Sequence, residues 1–200
     1  IQAEHGAASI GALATAHSTV EELYLLGQLV RGLGSDNIDH RLRHAEFDTV
    51  EKARWLGTSI ESLSTLDRAF VIGSFLRKDH PLFAQRLRQA AKHGAQVSSL
   101  HALADDWLMP VSAQITAAPS GWVAALAGVA AAVASHTGAA APVAAEASEP
   151  AKAIAASLLS GQRKAVLLGN AAVQHPQASQ LLALAQFIAE QTGATFGVLG

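Results

Sequence analysis

Residues 35–48, SDNIDHRLRHAEFD, hold the densest set of chemically capable side chains in the chain. Asp39, Arg41, Arg43, Glu46 and Asp48 set carboxylates among guanidinium groups, the arrangement in which pKa values move and protons can be passed. A structural ion-pair network uses the same residues equally well. His40 and His44 stand four apart and on a helix would share a metal-binding face. They lack both a Glu in HExxH spacing and a third ligand, so the spacing favours a surface pair or an ion pair with Asp39. Gly73-Ser74 and Gly169-Asn170 each close a short apolar run, the position at which parallel sheets bind ligands. Neither is GxGxxG or a Walker loop, and glycine also serves there simply to make the turn. Asp105-Asp106 is a pair only in sequence, because neighbours in an extended loop point apart. Ser98 and Ser99 have no nucleophile elbow around them.

Composition narrows the chemistry further. The chain has 200 residues, a formal net charge of −2 and no cysteine. That length allows one large or two small domains, each with a proper core. The charge gives no electrostatic reason for binding nucleic acid or an acidic membrane surface. Trp55, Trp107 and Trp122 are too scattered to form a base-stacking platform and are read as core or interface filling. Without cysteine these residues make no disulfide, zinc–thiolate site, iron–sulfur cluster or thiol nucleophile. Ile1 is not a natural start, as expected of a piece of a longer chain, and the first twenty residues do not resemble a signal peptide. Between Trp107 and Ala145 there is no Asp, Glu, Lys or Arg, but the unbroken apolar run is only Trp122–Ala134, too short to span a bilayer. It is expected to be a buried helix on a sheet, with no direct membrane insertion.

The elements that position these groups are legible from period and punctuation. Ala69–Ile72, the helix opened by Pro81, Gly94 and Ala95–Leu100 read as strand, crossover helix, cap and strand, a parallel βαβ unit. Ala165–Leu168, Gly169, His175-Pro176, a helix and Gly193-Ala194 leading into Thr195–Leu199 repeat that order. Ser18 with Glu21, or Thr19 with Glu22, is a capping box ahead of a helix that runs to Gly32. Ser9–Leu13 reads as a strand or a covering loop, Ser59–Leu66 as a short helix, and Val111–Thr116 as a short strand. Pro119 is expected to start the Ala-rich helix. The expected organisation is an α/β segment over 1–136, an Ala-rich linker over 137–148 and a second α/β segment over 149–200.

The stretch Glu21–Arg43 resembles the molybdopterin oxidoreductase superfamily: a helix, a Gly-Ser turn and Asn-Ile-Asp-His, here Gly34, Ser35, Asn37, Ile38, Asp39 and His40. The continuation His40-Arg41-Leu42-Arg43 is similar to the G-subunit family of bacterial respiratory NADH–quinone oxidoreductases, the complex I homologue. The resemblance implies an α/β fragment with parallel sheets and Rossmann-like βαβ units, of the type built by domains 1–3 of formate dehydrogenase and DMSO reductase. It also implies descent from a binder of a bis-pterin guanine dinucleotide. Active relatives carry a metal ligand at a position near His44–Glu46, where this chain reads His-Ala-Glu. They also place Asp-Pro-Arg and Pro-Gly-Thr-Asp at the guanine end, where this chain has Leu100-His101-Ala102 and Pro119-Ser120-Gly121-Trp122.

The resemblance therefore implies a retained fold without its redox centre: no catalytic residue, no metal ligand and no cofactor in these residues. Asn37, Asp39, His40, Gly73, Ser74, Gly169 and Asn170 are the candidates for a vestigial pocket. The implied setting is the peripheral arm on the cytoplasmic side of the bacterial inner membrane. Other domains of the same subunit and neighbouring subunits are the implied partners, and the parent's iron–sulfur clusters lie outside these residues. Two alternatives stay open. One is a fragment of an active molybdopterin guanine dinucleotide oxidoreductase. The other is the nucleotide-binding central domain of a thiamine-diphosphate enzyme, which Arg163–Leu199 also resembles.

Overall fold

The structure is a computed structural model that describes residues 1–15, 18–40 and 55–199. Its contacts divide the chain into two units, Ile1–His44 and Ala45–Gly200.

The first unit begins with α1 (Gln2–His5) and contains β1 (Ala12–Leu13), α2 (Val20–Gly32) and β2 (Ile38–Asp39). β1 and β2 pair in parallel, with Ala12 opposite Ile38, so α2 is the crossover of a small βαβ unit. Of the two capping boxes in the sequence, the Thr19 one forms. Glu22 N donates to Thr19 Oγ1 at 3.2 Å and Thr19 N donates back to Glu22 Oε2 at 2.8 Å. The helix buries Gly27 and Val30, and leaves Val20, Tyr24, Leu25 and Leu29 exposed.

The second unit carries β3 (Arg68–Ile72), α3 (Leu76–Asp79), α4 (Pro81–Lys92), β4 (Gln96–His101), β5 (Ala113–Thr116), α5 (Trp122–Thr137), α6 (Glu149–Ser160), β6 (Lys164–Leu168), α7 (Asn170–Val173), α8 (Ala178–Thr192) and β7 (Thr195–Val198). Its sheet has five strands in the order β5-β4-β3-β6-β7, and every pairing is parallel. β3 and β6 are nearly continuous apolar runs because both faces of a central parallel strand are covered. Alternation divides their side chains between two layers. Ala69, Val71, Ala165 and Leu167 join Leu87 of α4, while Phe70, Ile72, Val166 and Leu168 join residues of α5, α6 and α8. The two βαβ units anticipated from the sequence thus lie side by side, with their helices on opposite faces.

Helix α5 is the centre of the second layer. With the turn before it, Pro119–Thr137 is long and apolar enough by composition to cross a membrane. It is instead packed against α6 and α8, with Trp122, Leu126, Val129 and Val133 in the core, as its sequence suggested. Backbone from the Ala-rich stretch lies directly on it: a Cβ at Gly128 would stand 2.9 Å from Glu146 O. The outer edge of β7 is covered too, since Val198 N donates to Trp55 O at 2.8 Å.

Several boundaries differ from the sequence reading, each for a local reason. Ser59–Leu66 forms only a 3-10 turn over Glu61–Thr65, stitched by Ser62 and Thr65 hydroxyls to nearby carbonyls. The strand read from Val111 pairs only from Ala113. Pro119–Gly121 makes a 3-10 turn, and α5 opens at Trp122. His175-Pro176 does not open α8; Gln177 N donates to His175 Nδ1 at 3.0 Å, closing a turn that delays the helix to Ala178. α3 and α7 have four residues each, too few to show a helical period.

Candidate functional site

In an order of β5-β4-β3-β6-β7, chain connections leave β3 toward one side and β6 toward the other. The gap between their carboxyl ends is the topological switch point, where doubly wound sheets hold ligands. Gly73 and Gly169 stand at that gap. Gly73 has φ 65°, in the left-handed region. Three backbone donors at this gap bond within the protein. Gly73 N donates to Leu100 O at 2.8 Å, Gly169 N to Ile72 O at 2.7 Å, and Ala171 N to Gly73 O at 3.0 Å. The glycine faces are also filled. A Cβ on Gly73 would meet Ala172 Cβ and N at 2.7 Å and Trp122 Cζ3 at 3.0 Å. One on Gly169 would meet Ser74 Cβ at 2.4 Å and Gly73 O at 2.7 Å.

Trp122 sits in the middle of this edge, 2% exposed. Its Nε1–H donates to Ala117 O at 2.8 Å. The His175 ring stacks on it at 5.9 Å between centroids, and the His101 ring lies tilted at 6.2 Å. Because Gln177 N donates to His175 Nδ1, the ring's proton is on Nε2, which donates to Pro119 O at 2.9 Å. His101 Nδ1 approaches Asp105 Oδ2 to 2.6 Å, both side chains being largely buried. Neither atom completes a well-directed hydrogen bond, so this is a close charge and dipole contact rather than an aligned dyad. Sequence reasoning did not find this pairing. Its signal is a histidine at a strand's carboxyl end with a carboxylate one loop turn later.

The residues singled out from the sequence fall in different places. Ser74 is buried and its hydroxyl donates to Asp79 Oδ2 at 2.7 Å, bracing the turn into α3. Asn170 opens α7, and its carbonyl accepts from Gln174 N. In the first unit Asn37 Nδ2 donates to Ala8 O at 2.8 Å, and Ser35 Oγ donates to Ile10 O at 2.7 Å, tying the Asn-Ile-Asp turn to the chain start. Asp39 Oδ1 accepts from His40 N at 2.7 Å, while the two side chains stand 3.9 Å apart. Asp39 and His40 border a cleft of about 360 Å³ with Leu23, Leu26 and Ile38. Arg41, Arg43, His44, Glu46 and Asp48 lie outside the described residues. Among the described residues no three His, Asp or Glu side chains converge on a possible metal position. Asp105 and Asp106 do point apart: Asp106 Oδ1 accepts from Leu108 N at 2.9 Å. Of the tryptophans, Trp107 and Trp122 are core, whereas Trp55 is 63% exposed.

At the opposite, amino-terminal edge a cleft of about 450 Å³ contains Asp67. Arg163 Nη2 donates to its Oδ1 at 2.7 Å and Arg163 N to its Oδ2 at 2.9 Å, which holds the carboxyl at about 2. This pair locks the starts of β3 and β6 together and is far from the edge where such sheets bind ligands.

An all-parallel sheet with helices on both faces and glycine turns at its switch point defines a doubly wound α/β domain. Within that class the chain belongs to the molybdopterin oxidoreductase family, which it matches over residues 1–198. It is 35% identical over 95 residues to the F420-dependent formate dehydrogenase subunit alpha of Methanocaldococcus jannaschii, covering 44% of this chain and 14% of that protein. It is 30% identical over 87 residues to the NADH-quinone oxidoreductase G subunit of Rickettsia felis, covering 43% of this chain and 13% of that one. The matched segments are thus a small part of either relative. Among solved structures, the formyltransferase/hydrolase complex of Methylorubrum extorquens contains a similar fold, with TM-score 0.60 and 17% identity over 95% of this chain and 53% of that one. The family match takes in this C-terminal segment from Arg163 through Val198, so it needs no separate assignment to a thiamine-diphosphate enzyme. At the switch point Gly73 N, Gly169 N and Ala171 N bond within the protein, and the glycine faces are against protein.

Proposed function

We propose that the chain is a non-catalytic structural segment of a large subunit, of the G-subunit kind, within a respiratory NADH–quinone oxidoreductase. On this reading it supports electron transfer from NADH to quinone as a folded scaffold, and the redox centres sit in other parts of the parent. The observation that carries it is the filled switch-point turn, where Gly73 N, Gly169 N and Ala171 N bond inside the protein and the glycine faces lie against Ala172, Trp122 and Ser74. The similarity to the Rickettsia felis protein and the absence of any cysteine agree with it. Its partners are then other domains of the same subunit and neighbouring subunits of the peripheral arm, with no nucleic acid, on the cytoplasmic side of the inner membrane. Iron–sulfur clusters belong to parts of the parent outside these residues. Absorbance from the near ultraviolet through the visible, with molybdenum and tungsten analysis of the purified chain, tests the reading. A colourless, metal-free protein is expected, and a stoichiometric chromophore or metal refutes it.

One observation favours a second reading, a fragment of an active molybdopterin guanine dinucleotide oxidoreductase: the 35% identity to a formate dehydrogenase alpha subunit. Stoichiometric molybdenum or tungsten in the whole parent protein fits only that reading.

A further inference from the structure

We infer that Trp122 is the permanent occupant of the switch-point crevice: the chain fills with its own indole the space that a doubly wound sheet offers to a ligand. The functional meaning of this rests on the scaffold reading; the steric part stands alone. The ring is held on every side the contacts describe. Cζ3 abuts Gly73, whose other neighbour, Ala172, leaves 2.7 Å for a Cβ. Nε1–H is taken by Ala117 O, and His175 and His101 flank the ring. His175 also bonds Pro119 O, so the turn that launches Trp122 is tied to the turn that precedes α8. The ring is a built-in ligand with one hydrogen bond and aromatic contacts, as a bound heterocycle in an apolar pocket would have. The space it vacates on truncation therefore accepts a flat, neutral heteroaromatic with a single N–H donor.

The test uses the full chain, with Trp122→Ala and Trp122→Phe. Removing the indole leaves a cavity, and the melting temperature of Trp122→Ala is expected to fall by roughly 10 °C. Millimolar indole should restore at least half of that loss while leaving the wild type unmoved. Trp122→Phe keeps an aromatic ring but loses the bond to Ala117 O, and should fall less. GDP should shift none of the three. Should Trp122→Ala fail to fold, Trp55→Phe supplies the readout, because it removes the exposed tryptophan and leaves the two buried ones. Its emission is then blue-shifted and unaffected by acrylamide or GDP. A folded Trp122→Ala that ignores indole, an acrylamide-quenchable Trp55→Phe, or a wild type stabilised by GDP overturns the inference. Molybdenum in the purified chain with Trp122 still sealed would sink the scaffold reading alone; failed indole rescue without metal would sink this inference alone.

Discussion

Three glycine-to-alanine substitutions separate what the switch-point glycines do. Gly94 follows α4 at φ 92° with nothing within 4 Å of where a Cβ would stand, so Gly94→Ala costs only backbone strain, about 1–2 kcal/mol. Gly169 has an ordinary φ of −90° but no room, with Ser74 Cβ at 2.4 Å and Gly73 O at 2.7 Å. Gly169→Ala is therefore pure overpacking, about 1–3 kcal/mol or somewhat more because one of the blocking groups is backbone. Gly73 suffers both, with φ 65° and contacts at 2.7 Å, so Gly73→Ala should cost roughly the sum, about 3–4 kcal/mol. Urea unfolding of each variant measures this as a lowered midpoint at unchanged slope. A glycine kept free for ligand approach would face open space, and its alanine variant would cost no more than Gly94→Ala. Gly73→Ala matching Gly94→Ala, together with a neutral Gly169→Ala, would refute the closed crevice.

Thr19→Ala removes one half of the capping box of α2 and should destabilise the first unit by about 1 kcal/mol, read as faster amide exchange along Val20–Gly32. Asp67 is held at about 2 by the Arg163 side-chain bond first and the Arg163 backbone bond second. A depressed carboxyl stabilises the folded state above its unfolded pKa and loses that contribution as pH falls through its folded pKa. Asp67→Asn should therefore be less stable than wild type near neutrality, with the gap narrowing between about pH 4 and about pH 2; a gap independent of pH would contradict the assignment. Gly128→Ala places a methyl 2.9 Å from Glu146 O and should cost about 1–3 kcal/mol, with amide protection near Ala147 lost first.

How the chain divides between local and long-range information explains which readings held. Helix α2 was visible because its capping box and apolar period lie within a dozen neighbouring residues, and α4 because Pro81 and Gly94 punctuate it. The βαβ units were visible because near-continuous apolar strands alternate with helical periods, and the packed character of α5 because its apolar run is short and alanine-rich. The Gly34-to-His40 motif carried the resemblance because its residues are contiguous in sequence, although Ser35 and Asn37 bond back to the distant chain start. What no local pattern contains is strand order. That β3 pairs with β6, and not only with β4, puts Gly73 against Ala172 and Gly169 against Ser74, and turns two possible ligand turns into one closed joint. The same holds for His175, whose bond to Pro119 O spans 56 positions, and for the ring of Trp122 between two histidines. Residue types limit which elements form, because propensity and period act over one or two turns of chain. Whether a glycine at a strand's end faces a ligand or a neighbouring methyl is decided only when distant strands pack, because packing sets what occupies the remaining space.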